Sequence, residues 1–197
     1  MVNSSLICSK PGDSEFCSFK RREQVILPPK QLWFIESGAV RTYTLTTEGT
    51  IIALGFWGTG DTVGSVLACV QPYIVECLAE VQARSLPTDQ CRNLSHIVLS
   101  HLHQTQELLR VRSGSVPLRL QELLDWLANK FGRASDQGTL IQIRLTHQDI
   151  ADTLGTTRVT ITRLLNQLEQ DGQIRWMQQY LLLPPKRLDA QVLRRTG

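Results

Sequence analysis

"LTHQDIADTLGTTRVTITRLLNQLEQDG", residues Leu145 to Gly172, holds two short amphipathic runs joined at Leu154-Gly155-Thr156. Thr146 is a good N-cap for the first run, in which Ile150, Ala151 and Leu154 fall on one helix face. Gly155 supplies the permissive backbone of a tight turn. A second helix is expected from Thr157, with Val159, Ile161 or Thr160, Leu164, Leu165 and Leu168 at helical spacing and an end near Asp171-Gly172. Two helices joined by a short glycine turn predict a helix-turn-helix, whose second helix is the one that enters a DNA major groove.

The polar side of that second helix carries the chemistry. Arg158 and Arg163 are five residues apart, roughly 140° around an ideal helix, so they cannot share one apolar stripe. A guanidinium fork matches guanine O6 and N7, and Val159 offers a methyl surface suited to the thymine C5-methyl. Thr157 and Thr160 near the helix start, whose own N–H groups favour anions, suit phosphate oxygens. Any amphipathic helix pair has the same apolar pattern, and surface Thr and Arg are common, so this reading stands beside a plain packing one. Downstream, "GQIRWMQQYLLLPP" predicts a two-stranded wing with Gln178-Gln179 near its tip.

Upstream of the quoted stretch, Leu140 to Leu145 is expected as a short strand and Gly132 to Gly138 as a loop. Leu118, Leu120, Leu123, Leu124 and Leu127 predict a helix with Pro117 in its first turn, and Ser113-Gly114-Ser115 ends the helix before it. In that earlier helix Leu94, Val98, Leu102, Thr105, Leu109 and Arg112 form a stripe narrow enough to suit a partner helix better than a broad core. From Gln24 to Pro87 the texture is short β-prone runs punctuated by glycine, as in "LWFIESGAVRTYTLTTEGTIIALGFWGTGDTVGSV", which predicts a meander closing into a barrel or sandwich.

Composition sets the outer limits. The 197 residues are 42% hydrophobic, enough for one large core or two small ones. The longest apolar runs, such as Ile51 to Trp57, are far shorter than a membrane span, and Met1 to Lys10 lacks an export signal, so a soluble cytoplasmic protein is expected. Five cysteines (Cys8, Cys17, Cys69, Cys77, Cys91) with no CxxC argue against a disulfide framework or zinc ribbon. The net charge of +3 is mild, so a nucleic-acid footprint must come from charge placement, to which Lys186, Arg187, Arg194 and Arg195 contribute. A metal enzyme of cupin type would draw histidines from barrel strands, yet the first histidine is His96. His96, His101 and His103 lack the i, i+4 spacing of a helical metal site and read as solvated or interfacial. No enzyme activity, metal or cofactor is expected.

On these motifs the chain resembles the CRP/FNR regulators. "TRVTITRLL" is especially similar to the version in NtcA-like nitrogen regulators of cyanobacteria, and the glycine-paced segment resembles the family's cyclic-nucleotide-binding barrel. The resemblance implies an α+β chain: a cyclic-nucleotide-binding-like β-barrel (jelly roll) over 1–92, a dimerisation helix over 93–114 and a winged helix-turn-helix over 115–197. It further implies a homodimer joined through 94–112, double-stranded DNA and RNA polymerase as partners, and a palindrome with GTA-type half-sites. By position, Arg158, Val159 and Arg163 would read bases, with Thr146, His147, Gln148, Thr157 and Thr160 at the backbone. An effector pocket would involve Val63, Gly64, Ser65 and Val66, with Arg110 or Arg112 from the dimer helix. Here the sequence departs from its relatives: Ser65 replaces the ribose-binding Glu, and no Arg lies between Arg41 and Arg84. A phosphate buried without a cation is costly, so cyclic-nucleotide binding is not expected. The short gap from Leu67 to Tyr73 suggests a collapsed pocket. Cys8 and Cys17 give only two of the three N-terminal thiolates of an FNR-type cluster. An effector-independent regulator is favoured, with 2-oxoglutarate-like or redox sensing as the alternative.

Overall fold

The computed structural model of the chain describes residues 16–185 except 26, 28, 29 and 92. Cys8 and the basic residues Lys186, Arg187, Arg194 and Arg195 therefore lie outside the described residues.

The glycine-paced half folds as two four-stranded antiparallel sheets. One has the order β1 (Phe16–Phe19), β8 (Val81–Pro87), β3 (Gln31–Ser37), β6 (Thr62–Val63); the other runs β2 (Gln24–Val25), β7 (Ile74–Cys77), β4 (Ala39–Leu45), β5 (Ile51–Gly58). The jelly roll is thus a sandwich of two sheets rather than a closed barrel, and β1 extends the strand region ahead of the expected start at Gln24. Phe19, Trp33, Ile35 and Val63 from one sheet and Val25, Val40, Trp57 and Val75 from the other fill a common core. The β3–β4 corner at Gly38 has φ +89, and a Cβ there would stand 2.1 Å from the Glu80 carbonyl oxygen, so a side chain is excluded twice over.

Helix α1 (Leu94–Val111) lies on this sandwich through His101, Gln104, Leu108 and Val111. The His101 ring stacks on Trp57 at 3.9 Å and its Nε2 is 2.8 Å from the Thr62 carbonyl oxygen, which makes it an interfacial histidine. The opposite face leaves Leu94, Val98, Leu99, Leu102 and Leu109 exposed. Arg112, counted in the same stripe from its spacing, instead turns inward: Nε donates to Thr153 O at 2.7 Å and Nη2 to Ala53 O at 3.3 Å.

After the turn at Gly114, α2 (Val116–Phe131) buries Leu120, Leu123, Leu124 and Leu127, while Leu118 remains half-exposed. The expected loop at Gly132 to Gly138 is in fact largely strand. β9 (Gly132–Ser135) pairs with β10 (Gly138–Ile141), so the strand placed at Leu140 to Leu145 begins and ends earlier. All four β9 residues are exposed, and an edge strand with no buried side leaves no alternation to read. The chain continues through α3 (His147–Leu154), α4 (Arg158–Gln170) and a hairpin of β11 (Arg175–Met177) and β12 (Tyr180–Leu183), giving the sheet order β11-β12-β10-β9. The apolar faces of α2, α3 and α4 share one core with Phe56, Ala39 and Leu78 of the sandwich, so the two halves pack as a continuous body. Among the described residues no helix is long and apolar enough to cross a membrane.

Candidate nucleic-acid interface

Both helix starts are built by hydroxyl caps. Thr146 Oγ1 accepts from Asp149 N at 3.1 Å while an Asp149 carboxylate oxygen accepts from Thr146 N at 2.7 Å, a reciprocal capping box. Ile150, Ala151 and Leu154 are fully buried, and Gly155 takes the left-handed conformation at φ +63 that ends α3. At α4, Thr157 Oγ1 accepts from Thr160 N at 3.2 Å and lies 2.9 Å from Thr160 Oγ1. The hydroxyls read as phosphate-facing therefore also hold the helix start together.

Ile161 and Leu165 are fully buried and anchor α4, which turns its other side outward. Arg158 and Arg163 are exposed and Val159 is 79% exposed. Among the described residues neither guanidinium has an ion-pair or hydrogen-bond partner. An apolar residue so exposed between two unpaired cations has no packing role in the monomer. Thr146, Gln148 and Thr157 are exposed on the same two helix starts, with His147 and Thr160 half-buried; Gln148 Nε2 donates to Asp152 Oδ1 at 2.7 Å. The wing turns at Gln178-Gln179, where Gln178 adopts φ +58. His147, the wing residue Trp176 and Thr162 of α4 also meet: His147 Nδ1 is 2.8 Å from Thr162 Oγ1, and the His147 and Trp176 rings are 5.9 Å apart. Neither Thr162 nor Trp176 stands out in the sequence by itself, although Thr162 adjoins Arg163 and Trp176 lies in the expected wing.

Behind α3 lies a second charged constellation for which the sequence held no local sign. Arg41 Nη2 pairs with Glu76 Oε2 at 2.8 Å, and its Nη1 is 3.0 Å from Asp149 Oδ1 and 3.6 Å from Asp152 Oδ2. Arg22, held at φ +70 with its N–H donating to Cys77 O, reaches Glu76 Oε1 at 2.8 Å and Asp149 Oδ2 at 2.6 Å. Burial alone would push the Asp149 carboxyl up. The Arg22 bond, the Arg41 charge and the Thr146 N–H outweigh it and hold the group below its ordinary range. The sandwich and the first helix of the pair are thus joined by a buried ionic seam.

The effector-side residues do not converge. Val63 is buried in β6, Gly64 and Ser65 open a 3-10 turn, and Val66 is half-exposed. A Cβ on Gly64 would come within 2.8 Å of Gln31 O and Leu32 Cδ2, so this segment lies tight on β3. Arg110 is exposed and paired with Glu107 and Glu122, each at 2.9 Å, while Arg112 serves Thr153 and Ala53. The cations that flank the segment without Lys or Arg are also engaged: Arg41 in the seam, and Arg84 with Glu36 at 3.0 Å. Burial pushes the Cys77 thiol up to about 12, which leaves it unreactive.

Against known proteins, residues 118–191 match the Crp-like helix-turn-helix domain. The chain is 38% identical over 181 residues to the regulatory protein CysR of Synechococcus elongatus, covering 86% of this chain and 87% of that one. It is 28% identical over 165 residues to the global nitrogen regulator of Synechocystis sp., covering 75% and 73%. Among solved structures, FixK2 from Bradyrhizobium japonicum superposes with a TM-score of 0.72 at 18% identity, covering 92% of this chain and 96% of that one, a likeness of fold.

Proposed function

The chain belongs to the CRP/FNR family of transcription regulators, and from that premise we propose that it acts in the cytoplasm as a homodimer on a palindromic DNA site with GTA-type half-sites. The observation that carries this reading is the outward triplet Arg158, Val159 and Arg163, its two guanidiniums without partners among the described residues, on a helix anchored by the fully buried Ile161 and Leu165. Arg158, Val159 and Arg163 contact base edges; Thr146, His147, Gln148, Thr157 and Thr160 lie along the phosphates. Dimerisation covers Leu94, Val98, Leu102 and Leu109, and sets two α4 helices one helical turn of DNA apart, about 34 Å. RNA polymerase is the further partner. DNA binding does not depend on a cyclic nucleotide, because Arg41 and Arg84 are already committed and the segment between them carries no cation.

Selection of bound sequences from a random DNA pool tests this. The expected product is a two-fold symmetric site of GTA-to-TAC form, enriched equally with and without cyclic AMP. An asymmetric or unenriched product would overturn it.

A further inference from the structure

The proposal here rests on the reading that the start of α3 lies along the DNA phosphates. Thr162 Oγ1 donates to the Arg158 carbonyl at 2.9 Å, so toward His147 Nδ1 at 2.8 Å it can only accept. The neutral imidazole therefore carries its proton on Nδ1, and Nε2 presents a lone pair. A phosphate oxygen also offers only lone pairs. While Nδ1–H stays with Thr162, the ring can bond a phosphate only as an imidazolium donating from Nε2. We propose that His147 takes up one proton from solvent when its protomer engages a DNA phosphate, with Thr162 as the positioning residue that enforces this by fixing the tautomer.

The surroundings favour a neutral ring before DNA arrives. Burial and the positive charge of Arg158 on α4 both hold His147 below the ordinary histidine range. On α3 itself, Asp149 is directed to Arg22 and Arg41, and Asp152 to Arg41 and Gln148. Trp176, facing from β11, carries no charge. DNA opposes both influences without removing the burial, since a phosphate beside the ring favours the cation directly and also offsets the Arg158 charge. The outcome is DNA affinity that rises on mild acidification, at fixed salt, through one side chain on each protomer.

The test is equilibrium binding of the full chain to its selected duplex from about pH 6 to about pH 8 at constant ionic strength, the window in which histidine titrates. The wild-type association constant is expected to fall with rising pH, by up to about tenfold per unit for each proton taken up. His147→Gln keeps an amide donor but should lose that slope while preserving sequence preference. Thr162→Val frees the tautomer, so a neutral Nε2–H can serve and the slope should shrink with His147 still present, a result that simple loosening of the helix would not produce. Melting temperatures of both variants confirm that the fold is intact. Equal slopes in wild type and His147→Gln would overturn the proposal. A wild-type chain that discriminates no duplex at any pH would instead overturn the interface reading beneath it.

Discussion

Two sets of arginines meet the helix-turn-helix from opposite sides and are used in opposite ways. Arg41, with Arg22 and Arg112, lies behind α3, desolvated to varying degrees and bound to carboxylates or backbone carbonyls of both halves of the molecule. Arg158 and Arg163 lie in front on α4, solvated and without partners among the described residues. A buried guanidinium must be paired to be tolerated, and once paired it is unavailable to a ligand. The front pair is therefore the one free to recognise, while the back set ties α3, against which α4 packs, to the sandwich. Arg110 shows the intermediate case, paired but exposed, where solvent screening leaves little energy in the contact.

The comparison can be broken most severely from behind. Arg41→Ala leaves Glu76, Asp149 and Asp152 short of a cation in a buried site, and urea unfolding should show a loss of about 3–5 kcal/mol. The same seam has a pH signature. Because Asp149 is held below its ordinary range, its stabilisation is fully present above about pH 4 and is lost as the pH falls below that toward its folded value. Acid unfolding of Asp149→Asn should lack that part of the transition, and an unchanged acid midpoint would contradict the assignment.

From the front the expected losses are in binding rather than in folding. Arg163→Ala should cost roughly 1–3 kcal/mol of DNA affinity and relax preference at one position of each half-site, while its melting temperature stays near wild type. Thr157→Ala falls between the two regions, because Thr157 caps α4 as well as facing outward. It should cost about 1 kcal/mol of stability and weaken binding on all sequences alike, measured by thermal melting and by titration of matched and scrambled duplexes. Arg110→Ala should be the smallest change, with a melting temperature that stays at the wild-type value because its ion pairs are exposed to solvent.

The two regions also differ in how far they could be read from sequence. The front is local: the spacing of Ile150, Leu154, Ile161 and Leu165, the cap at Thr157 and the turn at Gly155 all lie within a few residues of the side chains they position. The helix pair and its outward triplet follow from that stretch alone. The seam is not local, since Arg22 and Asp149 are 127 residues apart and neither stands in a telling pattern. Arg112 shows the same limit, for its helical spacing put it on the outward stripe, and only the packing of α3 against β5 turns it inward. The β9 strand escaped reading because every one of its side chains is exposed, and Thr162 because its role depends on an imidazole brought over by the fold.

The most direct test of the account is a titration of wild type and the Arg158→Ala/Arg163→Ala variant against the selected duplex and a scrambled one, at a single salt concentration. The account predicts that wild type discriminates strongly, and that the variant binds both duplexes with similar, weaker affinity while melting as wild type does. A variant that keeps the wild-type preference would contradict it, and would place sequence recognition somewhere other than α4.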